Sequence, residues 1–155
     1  MPKRRVPLNR EVLQSRISYV EESLQSLERF QGISYDIFHS NPDNFRIAFF
    51  DLHRALEAVM DIGSHLLSRI PGARPSSYKD IPRLLEKHKI IPADFADNKL
   101  TRMAGYRNRM VHFYGEITEE EIFKIIQEEL DDFYTFLGFT GKVLKDPSKY
   151  HLTLS

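Results

Sequence analysis

The sequence predicts an all-α protein, an antiparallel bundle of four to five helices. Three observations carry that expectation. Apolar residues recur at steps of three and four through most of the 155-residue chain, which is the helical period. No stretch alternates apolar and polar residues long enough for a half-buried strand. The periodic stretches are separated by short connections rich in Asn, Pro, Gly and Thr, the residues that start and stop helices.

Each element has its own signals. Asn9 is a good N-cap for a first helix, and Gly32 a good residue just past its end. Between them Leu13, Ile17, Val20, Leu24 and Leu27 form one apolar seam. A short helical turn covers Ser34 to His39. Asn41 and Pro42 then suit the cap and first position of a long helix. Its seam is Phe45, Phe49, Leu52, Leu56, Val59, Gly63, Leu66 and Ile70, widened by Ala48, Ala55 and Ile62, and Pro71-Gly72 ends it. A third helix runs from about Tyr78 to His88, with Ile81, Leu84 and Leu85 inward. Pro92 opens a fourth, carrying Phe95, Leu100, Met103, Met110 and Val111 inward, and Gly115 closes it. Thr118 with Glu121 makes a capping box for a fifth. That helix has Ile122, Ile126, Phe133 and Leu137 as its seam and Gly138 as its stop. One domain is expected over 1–155, with its core at about 9–138. The tail 139–155, weakly periodic, is expected to be partly irregular or to dock on a partner subunit.

Composition narrows the chemistry. Apolar residues are 41% and charged residues 28%, as in a water-soluble domain. Lys plus Arg equals Asp plus Glu at 22 each, so net charge points to neither nucleic acid nor membrane. The absence of cysteine excludes disulfides, thiolate metal sites and cysteine nucleophiles, and fits a reducing cytoplasm. No apolar run is long enough for a transmembrane helix. The basic start, Met1 to Pro7, lacks the apolar stretch of an export signal and reads as a solvated end. There is no Gly-rich phosphate loop. The six histidines, His39, His53, His65, His88, His112 and His151, lack metal-ligand spacing. Glu57 and Asp61 lie four apart, but no matching Glu-x-x-His pairs stand on other helices. They read as a solvated face or as salt-bridge partners. No cofactor and no metal are expected.

One segment is dense in chemistry: Tyr106-Arg107-Asn108-Arg109-Met110-Val111-His112-Phe113-Tyr114-Gly115. Lys99, Arg102, Arg107 and Arg109 supply positive charge there, and the stretch from Glu116 to Asp132 reverses the sign. A phosphodiester of RNA can be cleaved with little more than these residue types. Histidine moves protons near neutral pH. Arginine offers a planar fork of donors to the charge on the phosphorane. The nucleophile, a 2′-hydroxyl, is already part of the RNA. Arg107 and His112 nevertheless point about 140° apart on a straight helix, about 7.5 Å apart along its axis. Unless the long Arg side chain curls round, that spacing favours a cleft shared with a second subunit. His112 stands in the last turn, where the helix end favours cations, which suits a general acid.

This segment resembles the motif of the HEPN superfamily, specifically the HepT-like toxins: Arg, four spacers, His, any residue, Tyr. Here it reads Arg107 to Tyr114, with Asn108 directly after the Arg. Arg54 and Asp61-Ile62-Gly63-Ser64-His65 on the second long helix, the Ile90-Ile91-Pro92 entry and the Thr118-capped helix are similar as well, so the likeness covers roughly residues 9 to 138. The resemblance implies a HEPN bundle, a homodimer with the motif in an interfacial cleft, and metal-independent endoribonuclease activity leaving a 2′,3′-cyclic phosphate and a 5′-hydroxyl. It implies a toxin, paired with an MntA-like nucleotidyltransferase antitoxin that adds AMP to the motif tyrosine, here Tyr114. On this reading Arg107 and His112 are catalytic and Asn108 and Tyr114 support them. Arg102 and Arg109 are lesser contacts for the RNA backbone. The rival reading is a non-catalytic helical subunit of a small nucleotidyltransferase.

Overall fold

The computed structural model describes residues 5–112 and 116–155. Helix α1 spans Arg10–Leu27, and the Asn9 side chain accepts from the Val12 N–H at 3.1 Å. The α-helix stops earlier than expected, passing into a 3-10 turn at Glu28–Phe30. Gly32 sits beyond it at φ +79°, the left-handed position that a glycine takes without strain. Helix α2 covers Tyr35–Ser40, capped by Ser34. Helix α3, Pro42–Ser68, opens on the predicted Asn-Pro pair, with Asn41 accepting from the Asp43 N–H.

Helices α1 and α3 form the main packed pair. Leu13, Val20, Leu24 and Leu27 are fully buried on one, and Leu52, Leu56, Val59 and Leu66 on the other. Their direction follows from three cross-links. Glu22 meets Arg54 at 3.2 Å, Arg16 meets Asp61 at 3.4 Å, and the Asn9 N–H donates to His65 Nε2 at 3.0 Å. The partner number rises as the α1 number falls, so the pair is antiparallel. Arg54 also lies 4.4 Å over the Tyr19 ring. That fixes α1 more firmly than a surface ion pair alone.

A 3-10 turn at Tyr78–Asp80 leads into α4, Ile81–Lys87. Gly63 makes room for it. A Cβ at that position would stand 2.6 Å from Ile81 Cγ2, so α4 lies against α3 only because α3 has no side chain there. This packing sets the 3-10 turn with Tyr78 and Lys79 beside the helix that carries Arg107. Pro92 then starts a nearly continuous helix: α5 at Ala93–Phe95, a π segment at Ala96–Leu100, and α6 at Thr101–His112. Leu100, Met103 and Met110 are buried as expected. Val111 is not; it is 39% exposed, because α6 emerges from the core after Met110. The predicted stop at Gly115 lies outside the described residues.

Two helices replace the single fifth helix. Helix α7 is Glu119–Glu128, with Thr118 Oγ1 accepting from the Glu121 N–H at 3.1 Å, as a capping box requires. The chain breaks at Glu129 and resumes as α8, Leu130–Lys145. Gly138 does not end it. A mid-helix glycine costs about 1 kcal/mol, and burial of Phe133, Phe136, Thr140 and Val143 on one face outweighs that. The tail is therefore helical to Lys145 and ordered beyond it. Leu152 is buried, and Leu8 and Leu154 form a short parallel bridge in which the Leu8 N–H donates to Thr153 O at 2.7 Å. Arg5, read as part of a solvated end, donates to the His151 carbonyl. No described helix is long and apolar enough to cross a membrane.

Candidate active site

The site is built on the last two turns of α6, where they face α3 and the start of α4. Arg107 is mostly covered, with 18% of its side chain exposed. Its guanidinium does three things at once. Nε donates to Glu57 Oε1 on α3 at 2.5 Å. Nη1 donates to Asn108 Oδ1 at 3.2 Å. The plane lies 4.3 Å above the Tyr78 ring. The ring and the carboxylate hold the fork in one orientation, and Nη2 has no protein partner among the described residues. His53, one turn before Glu57, approaches the same Oε1 at 3.6 Å.

An open pocket of about 420 Å³ lies beyond this cluster, lined by Ser77, Tyr78, Lys79, Arg107, Asn108 and His112. Arg107 and His112 thus meet on one pocket within a single chain. The angular separation on the helix is overcome because the Arg side chain folds toward α3 and its ring partner. His112 is exposed at the rim, Asn108 half-buried. Tyr78 donates to Asp61 Oδ1 at 3.3 Å. Burial and then the Asp61 and Glu57 carboxylates push its phenol above the usual range, so it stays a neutral donor and a neutral surface for the cation. Burial also raises Asp61. Tyr114 lies outside the described residues.

The remaining basic residues of α6 point elsewhere. Arg109 donates to both carboxylate oxygens of Glu121 at 2.7 Å, and to the Glu116 carbonyl at 2.9 Å. Arg102 meets Glu129 at 2.9 Å, and Lys99 meets Asp132 at 3.8 Å. Tyr106 donates to Glu129 as well. Burial and that bond push its phenol up to about 12. The basic run seen in the sequence is thus split by the helix. One face is tied to α7 and the start of α8, and the other sets Arg107 against Glu57 of α3 beside an open pocket. Among the described residues no three His, Asp or Glu side chains converge as a metal centre requires.

Three residues of the site, Glu57, His53 and Tyr78, were not expected there. The i,i+4 spacing of Glu57 and Asp61 marked one face of α3, and both are salt-bridge or hydrogen-bond partners rather than solvated charges. Tyr78 carried no signal, because its contact with Arg107 depends on how closely α4 lies against α3.

The helical arrangement has known counterparts. It matches a tri-AMPylated HEPN toxin from Shewanella oneidensis, solved in complex with an MNT antitoxin, with a TM-score of 0.74 at 24% identity, over 84% of this chain and 97% of that one. A cytosolic protein of unknown function from Bacillus subtilis matches with a TM-score of 0.74 at 18% identity, over 88% and 90%. These likenesses define the fold as the all-helical HEPN type. Curated relatives share sequence too. A tRNA nuclease HepT from Aphanizomenon flos-aquae is 27% identical over 124 residues, 79% of this chain and 82% of the relative. An mRNA nuclease HepT from Shewanella oneidensis is 33% identical over 87 residues, 56% and 65%. The pattern of the family described as "Ribonuclease HepT-like" matches residues 20–138, and the chain belongs to that family.

Proposed function

We propose that this chain is a metal-independent endoribonuclease toxin of the cytoplasm. One observation carries the reading: Arg107, Asn108 and His112 line a single open pocket, with the guanidinium fixed by Glu57 and Tyr78 and its Nη2 without a partner among the described residues. That edge of the guanidinium binds the scissile phosphate and steadies the charge gained at the phosphorane. A base removes the proton of the RNA 2′-hydroxyl. The 2′-oxygen bonds to phosphorus, the bond to the 5′-oxygen breaks, and an acid protonates the leaving oxygen. A 2′,3′-cyclic phosphate and a 5′-hydroxyl result. His112 serves this proton transfer from the rim, and Asn108 orients the guanidinium or contacts phosphate. Arg102 and Arg109 contribute less to RNA binding, because phosphate competes there with Glu129 and Glu121.

The pocket is open to solvent, which suits completion by a second copy in a homodimer. The partner that restrains the toxin is an MntA-like nucleotidyltransferase antitoxin, which adds AMP to Tyr114. The added phosphate crowds the site and repels RNA. The HepT relatives named as RNA nucleases, and the HEPN toxin solved in AMPylated form with its antitoxin, support both steps.

The decisive experiment incubates purified protein with RNA in excess chelator beside His112→Ala and Arg107→Ala. Cleavage by the wild type, lost in both variants, supports the nuclease. Cleavage unchanged by either substitution, or absent from every RNA, overturns it. For the antitoxin step, mass spectrometry after incubation with the nucleotidyltransferase and ATP places AMP on Tyr114, and Tyr114→Phe removes it.

A further inference from the structure

A second groove, of about 650 Å³, lies where the C-terminal ends of α4 and α8 meet. Lys87, Lys89, Lys142 and Lys149 line it, all exposed. None of the four has a carboxylate partner among the described residues. Two aromatic rings stand among them. Lys142 lies 5.7 Å from the centre of Phe139, and Lys149 lies 5.9 Å from that of Tyr150. Phe139 packs edge-on against Phe95 and is thereby held in place. Glu86 is the one acid on the lining among the described residues. The tail from Phe139 onward supplies four of the ten lining residues, by continuing as a helix past Gly138 and then folding back.

Unpaired cations interleaved with half-buried rings are the chemistry of a single-stranded nucleic-acid track. Lysines follow the phosphates, and ring faces or edges meet bases without regard to sequence. The contrast with α6 is direct. Lys99, Arg102 and Arg109 are paired with Asp132, Glu129 and Glu121, whereas these lysines have no carboxylate partner among the described residues. Position adds to this. Helix α4 begins at the catalytic pocket, where Lys79 lies, and ends at the groove. Its seven residues span about 10 Å. A strand of a few nucleotides is long enough to span that distance.

We propose that this groove is a second RNA-binding site, one that holds the strand outside the catalytic pocket. The proposal rests on the ribonuclease reading for its biological sense, but binding can be measured without cleavage. The probe is an unstructured single-stranded RNA, with affinity read by fluorescence anisotropy across a salt series in chelator. His112→Ala prevents cleavage. In that background the combined change Lys87→Gln, Lys89→Gln, Lys142→Gln and Lys149→Gln weakens binding about tenfold or more. It also lowers the slope of log affinity against log salt by about 3, as expected for the loss of four phosphate contacts. The matching Lys→Arg set keeps both, which separates charge from misfolding. With His112 intact, the Gln set raises KM for long RNA and leaves turnover of a dinucleotide unchanged. Unchanged affinity and salt slope overturn the proposal. So does a loss confined to binding of the purified nucleotidyltransferase, which makes the groove a protein interface. Wild-type protein that binds RNA by the groove but cleaves none leaves this inference standing and removes the nuclease reading instead.

Discussion

The two faces of α6 carry the same residue types to different ends. On the face toward α3, Arg107 is held by a carboxylate and a ring and keeps one edge open beside His112. On the face toward α7, Arg109 spends its fork on both oxygens of Glu121, and Arg102 and Tyr106 converge on Glu129. An arginine works on a ligand where its neighbours orient it without saturating it. Where they saturate it, it fastens two helices together.

Substitutions on the two faces should separate cleanly. The largest effect is expected for His112→Ala, a loss of roughly a hundredfold or more in RNA cleavage, the range of a missing proton-transfer group. Its thermal midpoint should stay put, since the side chain is exposed. A Tm drop that accounts for the lost activity would erase the contrast between the faces. Arg107→Lys comes next. A single ammonium cannot keep the Glu57 contact, lie flat on Tyr78 and present a second edge. Activity should fall roughly tenfold to a hundredfold, mainly in kcat, with RNA affinity changed less.

Two smaller effects test the stabilising side. Arg109→Ala should lower stability by about 1 kcal/mol, the upper range for a well-formed pair at this exposure, with cleavage per folded molecule retained. Urea titration and active-site titration together decide this; selective loss of activity would place Arg109 in the site. The smallest effect concerns pH. His65 accepts from the Asn9 N–H, and burial first, then Arg69, lowers its pKa to about 4. The unfolded chain, with an ordinary histidine, binds the proton first on acidification. The stabilisation is therefore complete above about pH 6.5 and is lost as pH falls toward 4. With the ring only half covered, solvent screening leaves less than about 1 kcal/mol. His65→Gln should flatten the dependence of Tm on pH over that interval.

Much of the fold was legible residue by residue. Asn9, Asn41 and Thr118 cap helices because a short side chain can reach an unpaired N–H locally, and such contacts depend on few neighbours. The seams of α1 and α3 were legible for the same reason that helices have a period. The errors fall where local and distant terms compete. Gly138 carries a stop signal, and burial of Phe133, Phe136, Thr140 and Val143 on the opposite face of α8 overrules it. Val111 fits the inward pattern, and the end of the core exposes it.

The sequence by itself determined the all-helical class, the starts of α1, α3 and α7, and the membership of Arg107, Asn108 and His112 in one motif, since each of these is set within a few residues of chain. Tertiary structure alone decided which cations are spent and which are free. A charge has no role until its partners are placed, and Glu57, Tyr78 and Glu121 reach theirs from 50, 29 and 12 residues away. Over such separations the closeness of helix packing, here set by a missing side chain at Gly63, governs which groups meet.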